Sequence, residues 1–121
     1  RGIDLAGAKL RRANLQAANL AGADLAAADL SKANLQGAIL VEANLTLADL
    51  GRARLQAANL EWGLLSGASL EAADLTAANL RESHLAGANF EDVDLTTTTL
   101  AFADLSAAKN VSLKFSKPDS R

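Results

Sequence analysis

The chain has 121 residues, half of them apolar, a formal net charge of −2, and no Cys, Met or Tyr. That length fits one domain. The missing cysteines exclude a disulfide framework and any thiolate metal or redox site, and the charge balance excludes a strongly basic nucleic-acid binder.

From the N-terminus the chain reads Arg1-Gly2-Ile3-Asp4-Leu5. It lacks an initiating Met and is already inside a repeat, as expected of a segment cut from a longer protein. No signal peptide is visible, and the apolar runs are only a few residues long, too short to span a membrane. A fixed internal period decides a fold before local propensity does, and here the period is five. Leu stands at residue 5 and at every fifth residue to 105, with Phe90 as the one replacement. Two places before it stands Ala, except at Ile3, Gly63, Ser83, Val93 and Thr98. The place just before it is mostly Asp or Asn.

Period five suits neither common element. On a helix, residues five apart drift round the axis and form no stripe. On a strand, every second Leu would face solvent. All these apolar side chains can be buried together only if the backbone turns a corner every five residues. Leu then points inward from each side of a polygon, with Ala beside it and Asp or Asn outward between them. Each fully buried Leu contributes about 1.5–3 kcal/mol before chain entropy is subtracted.

The blocks Ala-Asn-Leu-Gln-Ala (13–17), Ala-Asp-Leu-Ala-Ala (23–27) and Ala-Asn-Leu-Arg-Glu (78–82) resemble the A(D/N)LXX motif of pentapeptide-repeat proteins, in particular the regular cyanobacterial members. The resemblance runs over residues 3–107 without an insertion. It implies an all-β fold, a right-handed quadrilateral parallel β-helix with four pentapeptides per 20-residue coil and about five coils. With strands about 4.8 Å apart, such a rod is about 25 Å long. The β-helix is assigned to residues 1–109. At Asn110 a Leu is due and missing; Val111, Leu113 and Phe115 then alternate with Ser112, Lys114 and Ser116. Residues 110–121 are therefore expected to form a short lid over the last coil, followed by a disordered tail.

A 20-residue coil stacks residues 20 apart into surface columns. Gln16, Gln36, Gln56, Thr76 and Thr96 form one, read as a structural ladder of amides and hydroxyls. A second face is charge-segregated. Lys9, Arg11, Arg12, Lys32 and Arg52 lie toward the N-terminal end, and Glu71, Glu91 and Asp92 toward the other. Lys9, Arg12, Lys32 and Arg52 are candidate anion contacts, weighed against ordinary solvated charge. A third column carries Glu42, Trp62, Glu82 and Phe102, with Arg81 alongside. Aromatic anchors ringed by charge are typical of binding surfaces, so these five are candidate partner contacts. Thr98 must point inward where Ala is normal, so its hydroxyl needs a backbone acceptor or the coil widens locally.

Catalysis needs convergent groups in a concavity, and a filled β-helix has none. The single His84 stands at an outward place, and no EF-hand, His-x-x-His or P-loop spacing occurs. The reading is a non-enzyme with no cofactor or metal. It is a structural or protein-interaction module, a domain of a larger protein whose protein partner the residues do not name. The segment is expected to be a soluble, cytoplasm-facing domain that inserts into no membrane and binds no nucleic acid. The resemblance adds that some cyanobacterial members carry the rod behind membrane spans, one type being implicated in heterocyst glycolipid localisation. It also supplies an alternative, a DNA-mimicking regulator of DNA gyrase. Duplex DNA carries one charge per about 1.7 Å, so a 25 Å mimic needs on the order of 15 negative charges. Residues 1–107 carry 8 Lys+Arg against 13 Asp+Glu, a net of −5, and one face also carries the basic patch.

Overall fold

The five-residue rule becomes geometry at the corners. In the computed structural model, which describes residues 2–112, the carbonyl of each inward Leu accepts the N–H of the residue three places on. Ala8 N–H to Leu5 O is 2.9 Å and Ala33 N–H to Leu30 O is 3.0 Å. Along residues 7 to 107 positive φ occurs only at the second central residue of a turn, between +54° and +72°, and in every turn but one. That is the signature of a type II turn. Gly fills this place at residues 7, 22, 37, 67 and 87, but Arg12, Glu42, Trp62 and Phe102 occupy it too. Each such non-glycine residue costs roughly 1–2 kcal/mol, which core burial and the hydrogen-bond ladder offset.

The Asp or Asn before Leu completes the corner. Its Oδ1 accepts the N–H two residues on: Ala6 N–H to Asp4 at 3.1 Å, Thr46 N–H to Asn44 at 3.1 Å, Glu91 N–H to Asn89 at 3.1 Å. This is the Asx turn. It satisfies an amide that the ladder does not reach.

Successive coils pair through parallel bridges between residues 20 apart, such as Asp4↔Asp24, Lys9↔Asp29, Asn14↔Asn34 and Asn19↔Ile39. Four pentapeptides therefore make one circuit. We number the coils from residues 3–22 (coil 1) through 23–42, 43–62, 63–82 and 83–102 (coil 5), with coil 6 starting at 103. The four walls begin at residues 3, 8, 13 and 18 of coil 1. In the ladder, Leu5 N–H donates to Asp24 O at 2.7 Å, and Asp24 N–H returns to Ile3 O at 2.8 Å.

Leu fills the axis. From Leu25 to Leu85 the inward Leu side chains are completely or almost completely buried, as is Phe90, and the Ala beside them closes the walls. Leu5, Leu10 and Leu15 at one end and Leu100 and Leu105 at the other are only partly covered. A Cβ built on Gly63 would lie 2.9 Å from Leu60 O and 3.1 Å from Leu65 Cδ1. This inward place therefore has no room even for the usual Ala.

One wall breaks the rule. Coil 5 carries Val93 and Thr98 at inward places and Thr97 at the second turn position. Thr97 is the one such position, between residues 2 and 107, without positive φ, because a β-branched side chain resists the left-handed region. The Asp74↔Asp94 bridge that the pattern calls for is missing. Side chains substitute for part of the ladder: Ala77 N–H donates to Thr97 Oγ1 at 3.0 Å, and Thr98 Oγ1 donates to Leu75 O at 2.9 Å. So the Thr98 hydroxyl finds its backbone acceptor and the ladder is also interrupted. Ser83, the other inward hydroxyl, is buried and bonds Leu80 O at 2.6 Å without any such break.

The glutamine column departs from expectation. No hydrogen bond joins Gln16, Gln36 and Gln56 to one another among the described residues. Gln36 Oε1 accepts instead from Arg54 at 3.1 Å, and Gln56 Oε1 is buried without a partner. A nearby guanidinium, a charged donor, outcompetes the amide. At the C-terminal end, Asn110 adopts φ +60° and its amide donates to Asn89 Oδ1 at 2.8 Å, while Val111 packs against the core. The expected lid and tail lie, from Leu113 onward, outside the described residues.

Candidate functional site

The square cross-section sorts the candidate residues onto corners. Glu42, Trp62, Glu82 and Phe102 each take the second turn position between walls 4 and 1, in coils 2 to 5. They therefore stand in one file about 4.8 Å apart. A side chain at the outside of a corner cannot reach the core, and the exposures show it: Trp62 is 47% and Phe102 78% exposed.

Arg81, at the first position of the same corner, organises the file. Its guanidinium carbon lies 5.3 Å from the centre of the Phe102 ring, within cation–π range. Its Nε is 3.7 Å from Glu61 Oε2, and its Nη2 is 3.6 Å from Glu82 Oε2. Neither ion pair is close or bidentate and both are half exposed, so they orient Arg81 rather than stabilise the fold. All five sequence-predicted contacts thus share one surface, and Glu61 joins them.

Three aliphatic residues extend this region and were not among the predicted contacts. Leu64 and Leu47 on wall 1 and Ile39 on wall 4 are exposed, Leu47 by 66%. Leu64 and Ile39 take the outward place normally held by Asp or Asn. Leu47 takes a turn place and leans over the next coil, where a Cβ on Gly67 would meet its Cδ2 at 2.8 Å. The signal that finds them is a large aliphatic side chain at an outward place of the five-residue template.

The charge-segregated column lies at the diagonally opposite corner, between walls 2 and 3. Arg12, Lys32 and Arg52 stack at the second turn position, followed by Ala72 and Asp92. Arg11 sits beside Arg12, and its Nη1 donates to Ser31 Oγ at 3.2 Å. Lys9 is not at the corner; it lies on wall 2, bridged to Asp29. The crowding is felt electrostatically. Arg12 and then Arg11 push the Lys32 ammonium below its ordinary range, with smaller contributions from burial and Arg52. Asp29 is held below the usual carboxylate range mainly by the Ser31 hydroxyl, 2.6 Å away. Among the described residues, only Arg81 has a carboxylate within ion-pair distance.

The described residues include no group of three or more His, Cys, Asp or Glu placed to hold a metal ion. No helix among them is long and apolar enough to cross a membrane. A hollow at the N-terminal rim, lined by Gly2, Ile3, Asn19, Leu20, Ala21, Gly22 and Glu42, has one charged group and no acid–base or nucleophile–base pair.

Four-walled coils with leucine at the axis and type II corners define a right-handed quadrilateral β-helix repeat protein. The sequence pattern of the family described as Pentapeptide repeats matches residues 1–37, 28–67, 53–84 and 73–109, and the chain belongs to that family. It is similar to the pentapeptide repeat protein alr5209 from Nostoc PCC 7120. That match has 38% identity and a TM-score of 0.70, over 82% of this chain and 85% of that one. It is also similar to Rfr23 from the cyanobacterium Cyanothece 51142, with 40% identity and a TM-score of 0.66 over 81% of this chain. A third similar structure is HetL from Nostoc sp. strain PCC 7120, a pentapeptide repeat protein involved in heterocyst differentiation regulation. Its identity is 32% and its TM-score 0.55, over 90% of this chain. The chain spans 61% of Rfr23 and 60% of HetL. No curated protein matches it.

Proposed function

We propose that this chain is a non-catalytic protein-interaction domain whose contact surface is the corner between walls 4 and 1. The observation that carries this is the file of Trp62 and Phe102, two large rings held outward with Arg81 between the coils that bear them. Burying each ring fully against a partner would contribute about 1.5–3 kcal/mol, and aromatic and Arg side chains are the usual anchors of interfaces. Glu42, Glu61 and Glu82 supply a charged rim. A rigid wall suits contact over an extended surface. The involvement of HetL in regulation is in keeping with such a non-catalytic contact. The DNA-mimic alternative is less well supported, because residues 1–107 give a net of −5 where a mimic needs on the order of 15 negative charges.

The test is site-specific photo-crosslinking in the full-length protein, in the cells it comes from. A photoreactive phenylalanine analogue replaces Phe102 in one strain and Ala57, at the corner between walls 3 and 4, in another. A discrete protein adduct from position 102 that is absent from position 57 is expected. Equal labelling at both positions, or none at 102, would remove the aromatic corner as the contact surface.

A further inference from the structure

The corner between walls 2 and 3 is self-complementary when read in opposite directions. Its second turn position runs Arg12, Lys32, Arg52, Ala72, Asp92 from coil 1 to coil 5. Its first runs Arg11, Ser31, Gly51, Glu71, Glu91. Positive charge occupies coils 1 to 3 and negative charge coils 4 and 5. The repeat spaces both halves identically, about 4.8 Å per coil. A surface that matches coils 2 and 3 of the basic half in spacing and opposite sign is therefore present on a second copy of the same chain, in its coils 5 and 4.

We propose that this corner is the docking surface for a second copy, packed antiparallel about a two-fold axis perpendicular to the rod between coils 3 and 4. That operation sets coil 2 of one rod against coil 5 of the other, and coil 3 against coil 4. Lys32 then faces Asp92, with Glu91 beside it. Arg52 faces Ala72, with Glu71 beside it. Each pairing occurs twice, as a two-fold interface requires. A parallel arrangement sets Arg12, Lys32 and Arg52 against themselves and is repulsive.

Three further observations support this surface. None of Arg12, Lys32, Arg52, Glu71, Glu91 or Asp92 has an ion pair of its own within the described chain. Small residues, Ser31, Gly51 and Ala72, sit beside the charged ones in coils 2 to 4 and let two corners approach. The crowded cations depress the Lys32 ammonium, a repulsion that facing carboxylates would relieve. The surface is diagonally opposite the Trp62 corner, so the two contacts are independent. A dimer leaves both aromatic files facing outward and gives the assembly two equivalent binding edges. Exposed ion pairs are individually weak and screened by salt, so the dimer is expected to be reversible and strongly salt-dependent.

The experiment is sedimentation velocity on the full chain at ~0.01 M and ~1 M ionic strength, where the Debye length is about 30 Å and 3 Å. Two charge-reversed variants accompany the wild type, K32E/R52E and E71K/D92K. Glu42 and Glu82 already occupy the equivalent left-handed turn place, so the reversals at 32 and 52 make no new backbone demand, and circular dichroism checks each fold. The wild type should dimerise at low salt and dissociate at high salt. Each variant alone should be monomeric, and an equimolar mixture should re-form a heterodimer, because over coils 2 to 5 an acidic corner then meets one that is basic except at Glu91. A wild type that stays monomeric at low salt at the highest soluble concentration overturns the proposal, as does a mixture that stays monomeric. Association lost in K32E/R52E but kept in E71K/D92K also overturns it, and points instead to a bridging anion on the basic half. Loss of the crosslink at position 102 leaves these outcomes untouched, so the two readings fail separately.

Discussion

Between residues 23 and 82, wall after wall repeats the one below it, and the inward leucines at every fifth place from Leu25 to Leu80 are sealed from solvent. Between residues 93 and 99, one wall keeps the inward Leu95 but loses its bridge to the coil below. Both stretches obey the same apolar period. They differ at the turn and at the inward small residue: Ala and a left-handed corner in the first, Val93, Thr97 and Thr98 in the second. Burial of leucine thus specifies the axis of the rod, while the corner residues specify whether the ladder closes. The two requirements are separable.

The axis gives the largest expected effect. Leu55→Asp places a carboxylate mid-stack with no partner, a cost of several kcal/mol against a total domain stability of about 5–15 kcal/mol. Cooperative unfolding should disappear from the thermal melt. Leu100→Asp, at the partly covered end, should lower stability by about 1–3 kcal/mol while leaving a cooperative transition. Equal losses at the two sites would mean that the ends are as tightly held as the middle, contrary to their burial.

The corner gives a medium effect. T97G/T98A restores the residue types that the other walls use. The turn can then adopt positive φ, and Leu75 and Ala77 can recover Asp94 O and Thr96 O as acceptors. Slower amide exchange at Leu75 and Ala77 is expected, with a gain of about 1 kcal/mol. Unchanged exchange would assign the broken bridge to Val93, whose extra bulk at the inward place then holds the walls apart.

The four-wall stack, and with it the aromatic file, was legible from the resemblance to the pentapeptide-repeat family, while the period itself made the axis legible, because burying every leucine demands a corner every five residues. Trp62 and Phe102 stood out for the same reason: the template gives them no core position. The turn at Thr97 was less legible. The inward Thr98 warned of a local widening, but the loss of the bridge depends on whether a β-branched residue accepts the left-handed region in that particular corner. The glutamine column misled because stacking at strand spacing permits an amide ladder without enforcing one, and Arg54 offers Gln36 a stronger donor. The columns set Arg81 beside the aromatic file, but the link it forms between Glu61, Glu82 and Phe102 depends on side-chain reach, which a column diagram lacks. Ile39 and Leu47 carry neither ring nor charge to single them out, although the template marks any bulky outward aliphatic equally.

The smallest expected effect concerns the Asx corners and compares the two regions under acid. Asp29 lies in the regular stack, Asp94 on the broken wall and Asp104 in the last coil. All three are held below the ordinary carboxylate range. The Ser31 hydroxyl is the main cause for Asp29, the Thr96 backbone N–H at 2.9 Å for Asp94, and the Ser106 hydroxyl at 2.5 Å for Asp104. A carboxylate with a depressed folded-state pKa contributes stability that is complete above its unfolded value, about 3.9, and is lost as pH falls through the lower folded value. Stability should therefore be flat near neutrality and decline below about pH 4. Asn already caps the equivalent corners, as Asn34 does for Gln36 N–H at 3.1 Å. D29N/D94N/D104N should therefore keep the turns while removing the titration. These carboxylates are solvent-exposed and screened, so the expected result is a shallower acid limb in urea melts between pH 5 and pH 2, with little change at pH 7. If the triple variant loses stability with acid as steeply as the wild type, these corners hold a protonated carboxyl as well as an ionised one. If D94N alone accounts for the whole change, the broken wall relies on its cap more than the regular stack does.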